Sequence, residues 1–246
     1  MRTFGLIGYP LAQSFSQKYF TQKFNNEHID ARYLNFEIQN INEVPELLSH
    51  HAYIAGISIT IPHKESVFQY LNELDDSAKE IGACNCIKVK WDNKQPTLIG
   101  YNTDYIGFSN SIRPLIKKHH TKALILGTGG AAKAVAYAFK CMNIEYKYVS
   151  RTKAQNNLSY NELNDEILKE YSILVNTTPL GMYPNTNACP DIPYQLLNKE
   201  HLLYDLTYNP DITLFMQKGI DQGAVAKNGL EMLHLQAEAA WDIWNH

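Results

Sequence analysis

The stretch Lys122-Ala123-Leu124-Ile125-Leu126-Gly127-Thr128-Gly129-Gly130-Ala131-Ala132-Lys133-Ala134-Val135 decides the fold. An apolar run, a glycine turn and a helix-forming segment read as strand, phosphate loop and helix. Gly127 permits the tight turn and Gly129 lets a pyrophosphate approach the backbone. Small Ala132 lets the new helix pack close to the strand, so that the helix N-terminus faces an anion. Glycine suits many strand-to-helix turns, so the following strand has to be read with this one. Glu145-Tyr146-Lys147-Tyr148-Val149 comes after a helix of suitable length. At its end, where an acid would hold the ribose 2'-hydroxyl of NAD, stands Ser150-Arg151-Thr152-Lys153. Two cations and two hydroxyls suit a 2'-phosphate, so the expected cofactor is NADP. The alternative is an ordinary solvated basic turn, and its position relative to the glycine loop argues against that.

The chain has 246 residues, 45% of them hydrophobic, which supports one large or two small domains with packed cores. A formal net charge of -3 and the absence of a long basic run exclude electrostatic recruitment to nucleic acid or an anionic membrane. Small molecules are the expected partners. No apolar segment approaches the roughly 18 residues of a membrane span, and residues 1–8 lack the apolar core of an export signal, so a cytoplasmic location is expected. Cys84, Cys86, Cys141 and Cys189 form no CxxC pair and read as free thiols, without a metal site. Cys84 and Cys86 flank Asn85 at strand spacing, which predicts both side chains on one face.

Residues 1–100 alternate strand and helix: strands over 3–8, 32–38 and 54–61, and helices over 17–26 and 42–49 with Asn42 as an N-cap. Ser14 and Ser16 share one side of an extended segment, and Ser16 is also a candidate helix cap. Pro62 stops the third strand, placing Lys64 in the first turn of a helix, where a cation opposes the dipole. That placement leaves two readings, a solvated surface lysine or a substrate-facing one. Residues 82–91 alternate like a strand and 97–100 pair back after a turn at 92–95. Asn85, among small apolar residues, either ties a loop down or reads a ligand hydroxyl. Thr103 or Asp104 can cap the helix that follows Asn102.

Further strands are expected over 172–176, 202–206 and 224–229. The turn Thr177-Thr178 lies where it could run along the cofactor, and residues 230–244 have helical periodicity.

With these motifs in place the chain resembles the shikimate dehydrogenase family. The resemblance rests on Gly8-Tyr9-Pro10 with Ser14 and Ser16, Thr60-Ile61-Pro62-His63-Lys64, Gly82-Ala83-Cys84-Asn85 and Asn102-Thr103-Asp104. It continues through Gly127-Thr128-Gly129-Gly130-Ala131, Ser150-Arg151-Thr152, Asn176-Thr177-Thr178-Pro179-Leu180-Gly181 and residues 229–236. It implies an α/β fold of two domains, an N-terminal substrate domain and a Rossmann-type dinucleotide domain with a cleft between them. Residues 1–102 and 230–246 would form the first and 103–229 the second. The implied activity is reversible NADPH-dependent reduction of 3-dehydroshikimate to shikimate in aromatic amino-acid biosynthesis, by a monomer or homodimer.

By position, Lys64 and Asp104 would be the catalytic pair. Ser14, Ser16, Thr60, Asn85, Asn102, Tyr208 and Gln236 would hold substrate. Gly127, Gly129, Gly130, Ala131, Ser150, Arg151, Thr152, Thr177, Thr178, Leu206 and Gly229 would hold NADP. Two departures stand out: Ser150 replaces the family's usual Asn, and Cys86 its usual Thr. The rival readings are a quinate/shikimate dehydrogenase using NAD or NADP, a methylene-tetrahydrofolate dehydrogenase and a noncatalytic NADP-sensing protein. The serines and asparagines suit a polyol acid better than a pterin, and Lys64 with Asp104 favours catalysis over sensing.

Overall fold

The computed structural model of the chain describes every residue except 12–13, 52, 94 and 153–156. Lys153 of the basic turn and Lys94 of the hairpin turn therefore lie outside the described residues. The chain divides into two compact units, Met1–Thr103 with Ala237–His246, and Asp104–Gln236.

In chain order the first unit contains β1 (Arg2–Gly8), α1 (Phe15–Asn26), β2 (Ala31–Glu37), α2 (Val44–His50), β3 (Ile54–Ile59), β4 (Glu73–Leu74), α3 (Asp76–Ile81), β5 (Cys86–Asp92) and β6 (Gln95–Tyr101). The six strands form one sheet in the order β2-β1-β3-β5-β6-β4, with β1 parallel to β2 and β3, and β5 antiparallel to β3 and β6. The sheet is sandwiched: one apolar cluster contains Ile7, Ile57, Cys84 and Val89, and another contains Phe4, Phe20, Cys86 and Trp244. Cys84 and Cys86 thus do not share a face, because the strand begins only at Cys86 and Cys84 lies in the preceding loop. All four cysteines are free.

Other local expectations also shift. Asn40, not Asn42, caps the second helical region: it forms a capping box with Glu43 over a 3-10 turn (Ile41–Glu43) that leads into α2. Lys64 sits in a turn, not in a first helical turn. The helical segment after Pro62 is a short 3-10 stretch, Ser66–Tyr70, with Glu65 as its N-cap, so the dipole argument does not apply to Lys64.

The second unit contains α4 (Asp104–Ile112), β7 (Lys122–Leu126), α5 (Gly130–Cys141), β8 (Glu145–Ser150), β9 (Asn157–Ser159), α6 (Asp165–Glu170), β10 (Ile173–Asn176), β11 (Leu202–Asp205), α7 (Leu214–Ile220) and β12 (Val225–Lys227). It also contains the start of α8 (Leu230–Asn245). All its strand pairs are parallel, in the order β12-β11-β10-β7-β8-β9. Numbered from β7, that is the doubly wound order 3-2-1-4-5-6, with its reversal between β7 and β10. Ala123, Leu124, Ile125, Leu126, Ile173, Leu174 and Val175 have no exposure, as expected for strands covered on both faces.

The boundary at the C-terminal end differs from the expected residue 230 and falls inside α8. Residues 230–236 go with the second unit because Met232 is buried in the same cluster as Phe108 and Tyr204, and Ser111 Oγ donates to Glu231 at 3.3 Å. Thr103 goes with the first unit because its backbone and hydroxyl are bonded to Asn85.

The distal half of α8 closes the first unit. Trp244 donates its indole N–H to the Ile87 carbonyl at 3.0 Å and crosses β3 so closely that a Cβ on Gly56 would lie 2.4 Å from the ring. Gly56→Ala is therefore expected to destabilise the protein by about 1–3 kcal/mol through overpacking. Thermal denaturation checks this, and an unchanged midpoint would refute the packing argument.

Candidate active site

In the first unit the candidate residues gather at the carboxyl ends of β1 and β3. Thr60 follows β3 and its N–H donates to the Ile7 carbonyl at 2.9 Å. Lys64, partly buried, is fixed through its main chain: its carbonyl accepts from Cys84 N–H at 2.8 Å. The neighbouring His63 is buried and its Nε2 donates to the Ile38 carbonyl at 2.9 Å. These bonds bring the Lys64 turn beside the loop that carries Asn85.

Asn85 ties a loop down. It is 4% exposed, its Nδ2 donates to Thr103 Oγ1 at 3.0 Å, and its Oδ1 accepts from Thr103 N–H at 2.6 Å. Asn102 is also buried and donates to the Ala83 carbonyl at 2.8 Å. The two asparagines cross-link the segment before β5 to the segment after β6, which holds the end of the first unit's main run in place.

Ser14 and Ser16 do not lie on one extended segment. Ser14 is the N-cap of α1, its Oγ accepting from Gln17 N–H at 3.2 Å, whereas Ser16 is already inside the helix. The capping role expected of Ser16 therefore belongs to Ser14. The buried hydroxyl of Tyr33 donates to Ser58 Oγ at 2.8 Å, and burial pushes the Tyr33 phenol up.

In the second unit Asp104 is the buried first residue of α4, where a carboxylate suits the positive end of the helix dipole. Gln236 donates to the Leu233 carbonyl at 2.9 Å. Tyr208 is 36% exposed, and partial burial raises its phenol pKa.

The glycine loop lies at the sheet's reversal point. Gly127 has a φ of +113°, and a Cβ there would come within 2.6 Å of Thr177 Oγ1, so both conformation and space demand glycine. Thr177 donates its N–H and hydroxyl to the Leu126 carbonyl at 3.0 and 2.7 Å, stitching the turn after β10 to the end of β7. Thr178 donates both N–H and hydroxyl to Asn176 Oδ1.

Gly129 is the N-cap of the 12-residue α5 and supplies no side-chain cap, and a Cβ built on it meets nothing within 4 Å. The open backbone and the uncapped amide groups of a long helix fit a pyrophosphate. Gly127 N–H donates to the Val149 carbonyl at 2.9 Å, which sets the loop beside the end of β8. There Arg151 and Thr152 are exposed, and Ser150 turns its hydroxyl onto the Thr152 carbonyl at 2.5 Å. Ser150 thus shapes the turn that presents the cation. The charge and open space of these residues fit a dinucleotide bearing a 2'-phosphate.

Gly229 and Leu206 also belong together. A Cβ on Gly229 would lie 2.2 Å from the Leu206 carbonyl oxygen, and Gly229 N–H donates to the Thr207 carbonyl at 3.1 Å. Lys64 and Asp104 fall in different units. Among the described residues no group of three or more His, Cys, Asp or Glu side chains could hold a metal ion, and no helix is long and apolar enough to cross a membrane.

Sequence reasoning misses Asp205, which lies opposite Asn176 on the neighbouring strand. The available signal is a single acid and a single amide, each closing an otherwise apolar strand.

Known proteins resemble the chain over nearly its whole length. Residues 6–87 match the family model described as the shikimate dehydrogenase substrate binding domain. The chain is 35% identical over 259 residues to a shikimate dehydrogenase (NADP(+)) of Methanococcus maripaludis, covering 98% of this chain and 90% of the relative. It is 36% identical to one of Carboxydothermus hydrogenoformans with the same coverage. Among solved structures, a shikimate dehydrogenase in complex with NADP+ aligns with a TM-score of 0.84 at 30% identity, covering 99% of this chain and 90% of that one. The shikimate 5-dehydrogenase of Thermus thermophilus, in complex with NADP(H) and shikimate, aligns with a TM-score of 0.86 at 26% identity, covering 99% and 93%.

Proposed function

The chain belongs to the shikimate dehydrogenase family, and on that premise we propose that it catalyses the reversible NADPH-dependent reduction of 3-dehydroshikimate to shikimate. The observation that carries the cofactor half of this reading is the glycine loop at the reversal of a 3-2-1-4-5-6 sheet, next to a β8 terminus that presents Arg151 and no acid. The polar cluster of Thr60, Lys64, Asn85 and Asn102 supports the substrate half.

NADPH, when bound, supplies the hydride that adds to the ring ketone. Gly127, Gly129, Gly130 and Ala131 would cradle its pyrophosphate, and Arg151, Thr152 and Ser150 would serve the 2'-phosphate end. Thr177, Thr178, Leu206 and Gly229 would line its course along the strand ends. Lys64 is assigned to the ketone oxygen, where its ammonium stabilises the developing alkoxide and delivers a proton. Asp104 is assigned to orient that ammonium. Ser14, Ser16, Thr60, Asn85, Asn102, Tyr208 and Gln236 would hold the carboxylate and hydroxyls of the substrate. Asn85 and Ser14 already serve the fold through Thr103 and α1, so part of their polar capacity is engaged before any substrate arrives. A cytoplasmic site of action is part of the proposal, in keeping with four free thiols.

The direct test is to mix the purified protein with NADPH and 3-dehydroshikimate and follow the absorbance of the reduced nicotinamide, with chromatography of the product. The expected result is loss of absorbance matched by formation of shikimate. Stable absorbance over a range of protein concentrations would overturn the assignment.

A further inference from the structure

Two neighbouring parallel strands of the second sheet each end in a polar residue with no exposure, and the two residues are register partners: Asn176 on β10 and Asp205 on β11. Around them runs a continuous set of hydrogen bonds. Asp205 Oδ2 accepts from Thr213 Oγ1 at 2.6 Å, and Asp205 Oδ1 accepts from Thr207 N–H at 2.9 Å and from Asn176 Nδ2 at 3.1 Å. Asn176 in turn accepts from Thr178 N–H at 3.0 Å and from its hydroxyl at 2.6 Å, and donates to the Leu180 carbonyl at 3.3 Å. Thr213 is the N-cap of α7, accepting from Met216 N–H.

These donors to Asp205 are neutral groups, so the carboxylate is held in the interior by hydrogen bonds. Burial pushes its pKa up and the hydrogen bonds oppose that shift. A buried charge is costly, and an apolar residue at the end of β11 would complete the strand more cheaply. What the carboxylate adds is reach: it fixes the turn after β10, the turn after β11 and the start of α7 from one point.

Both turns leave the carboxyl ends of strands beside the sheet's reversal, where open α/β sheets bind ligands. They carry Thr177, Thr178 and Leu206, assigned above to NADP. We propose that Asp205 is a positioning residue for the cofactor: acting through Asn176 and Thr207, it holds the two cofactor-facing turns at the spacing that NADP(H) binding requires, without touching the cofactor. This rests on the assignment of those turns to NADP.

The test uses Asp205→Asn, Thr213→Val and Thr213→Ser in the full chain. Asp205→Asn keeps the shape but replaces one acceptor oxygen with a donor. Thr213→Val removes only the hydroxyl that points at Oδ2, and Thr213→Ser restores it. Fluorescence titration of NADPH reads binding without turnover, and shikimate oxidation gives kcat and each KM. For Asp205→Asn, the NADPH Kd and the KM for NADP should rise roughly 10-fold or more, with kcat at saturation and the KM for shikimate within about 3-fold of the parent. Thr213→Val should move in the same direction by less, and Thr213→Ser should match the parent.

Parent-like Kd and KM in folded Asp205→Asn would overturn the proposal. So would a loss confined to thermal midpoint and folded fraction. If Asp205→Asn does not fold, the Thr213 pair decides: equal NADPH Kd values in the Val and Ser variants overturn it, and a higher Kd in Val alone supports it. A parent that binds NADPH but does not oxidise shikimate would defeat the catalytic assignment while the titrations still decide the role of Asp205.

Discussion

Lys64→Ala is expected to lower turnover by on the order of 100-fold or more while leaving NADPH affinity within about 3-fold of the parent. The size follows from the role: the reduction places negative charge on the former ketone oxygen, and alanine removes both the cation that stabilises it and its proton source. The selectivity follows from the structure. The turn carrying Lys64 is held by main-chain atoms and by its neighbour, through the Lys64 carbonyl to Cys84 N–H and the His63 ring to the Ile38 carbonyl. Neither bond involves the lysine side chain, so both remain available to hold the turn in the variant. Steady-state kinetics with shikimate and NADP, beside NADPH titration, separates the two effects. An unchanged kcat would remove lysine from the chemistry. A lost kcat with an equally weakened NADPH Kd would mean that the residue supports the site as a whole.

Arg151→Ala should lower kcat/KM with NADP by roughly 10- to 100-fold, the range expected for losing a hydrogen-bonded charge pair worth about 1.5–3 kcal/mol. Activity with NAD, which lacks the 2'-phosphate, should change less than about 3-fold. The asymmetry is the content of the prediction, because Arg151 is exposed and a general structural loss would affect both cofactors. Raised salt should weaken NADP binding in the parent more than in the variant, since an exposed charge pair is screened. Equal losses with the two cofactors would show that Arg151 does not read the phosphate.

The second unit is the more legible of the two in the sequence. Its strands are buried on both faces and read as short apolar runs, and the glycine turn between β7 and α5 fixes where the sheet reverses. The short edge elements are not legible: β4 has two residues, β9 has three, and neither is long enough to show a period. In the first unit the errors arise where polar side chains have competing uses. Ser14 and Ser16 look equivalent on an extended segment, and only the point where α1 starts makes Ser14 the cap. Asn40 and Asn42 both precede an apolar run, and the reciprocal bond with Glu43 selects Asn40. Lys64 reads as helical because Pro62 stops the strand and the residues after it have a helix-forming pattern, whereas the chain there makes a turn before a 3-10 segment.

Asn85 shows the limit most clearly. Its sequence context allows loop tie or ligand reader, and its bonds to Thr103 reveal the tie because the partner lies 18 positions away. Asp205 escapes notice for a related reason, since its meaning depends on its register with Asn176 on the next strand, a long-range pairing that no local pattern encodes.

Oxidation of shikimate and of quinate by the purified protein, each with NADP and with NAD, tests the enzyme most directly when followed through the absorbance of the reduced nicotinamide. The predicted result is a shikimate rate with NADP well above the other three. Equal rates with NAD would contradict the reading of Arg151, equal rates with quinate would contradict shikimate as the preferred substrate, and no turnover in any combination would contradict the enzyme itself.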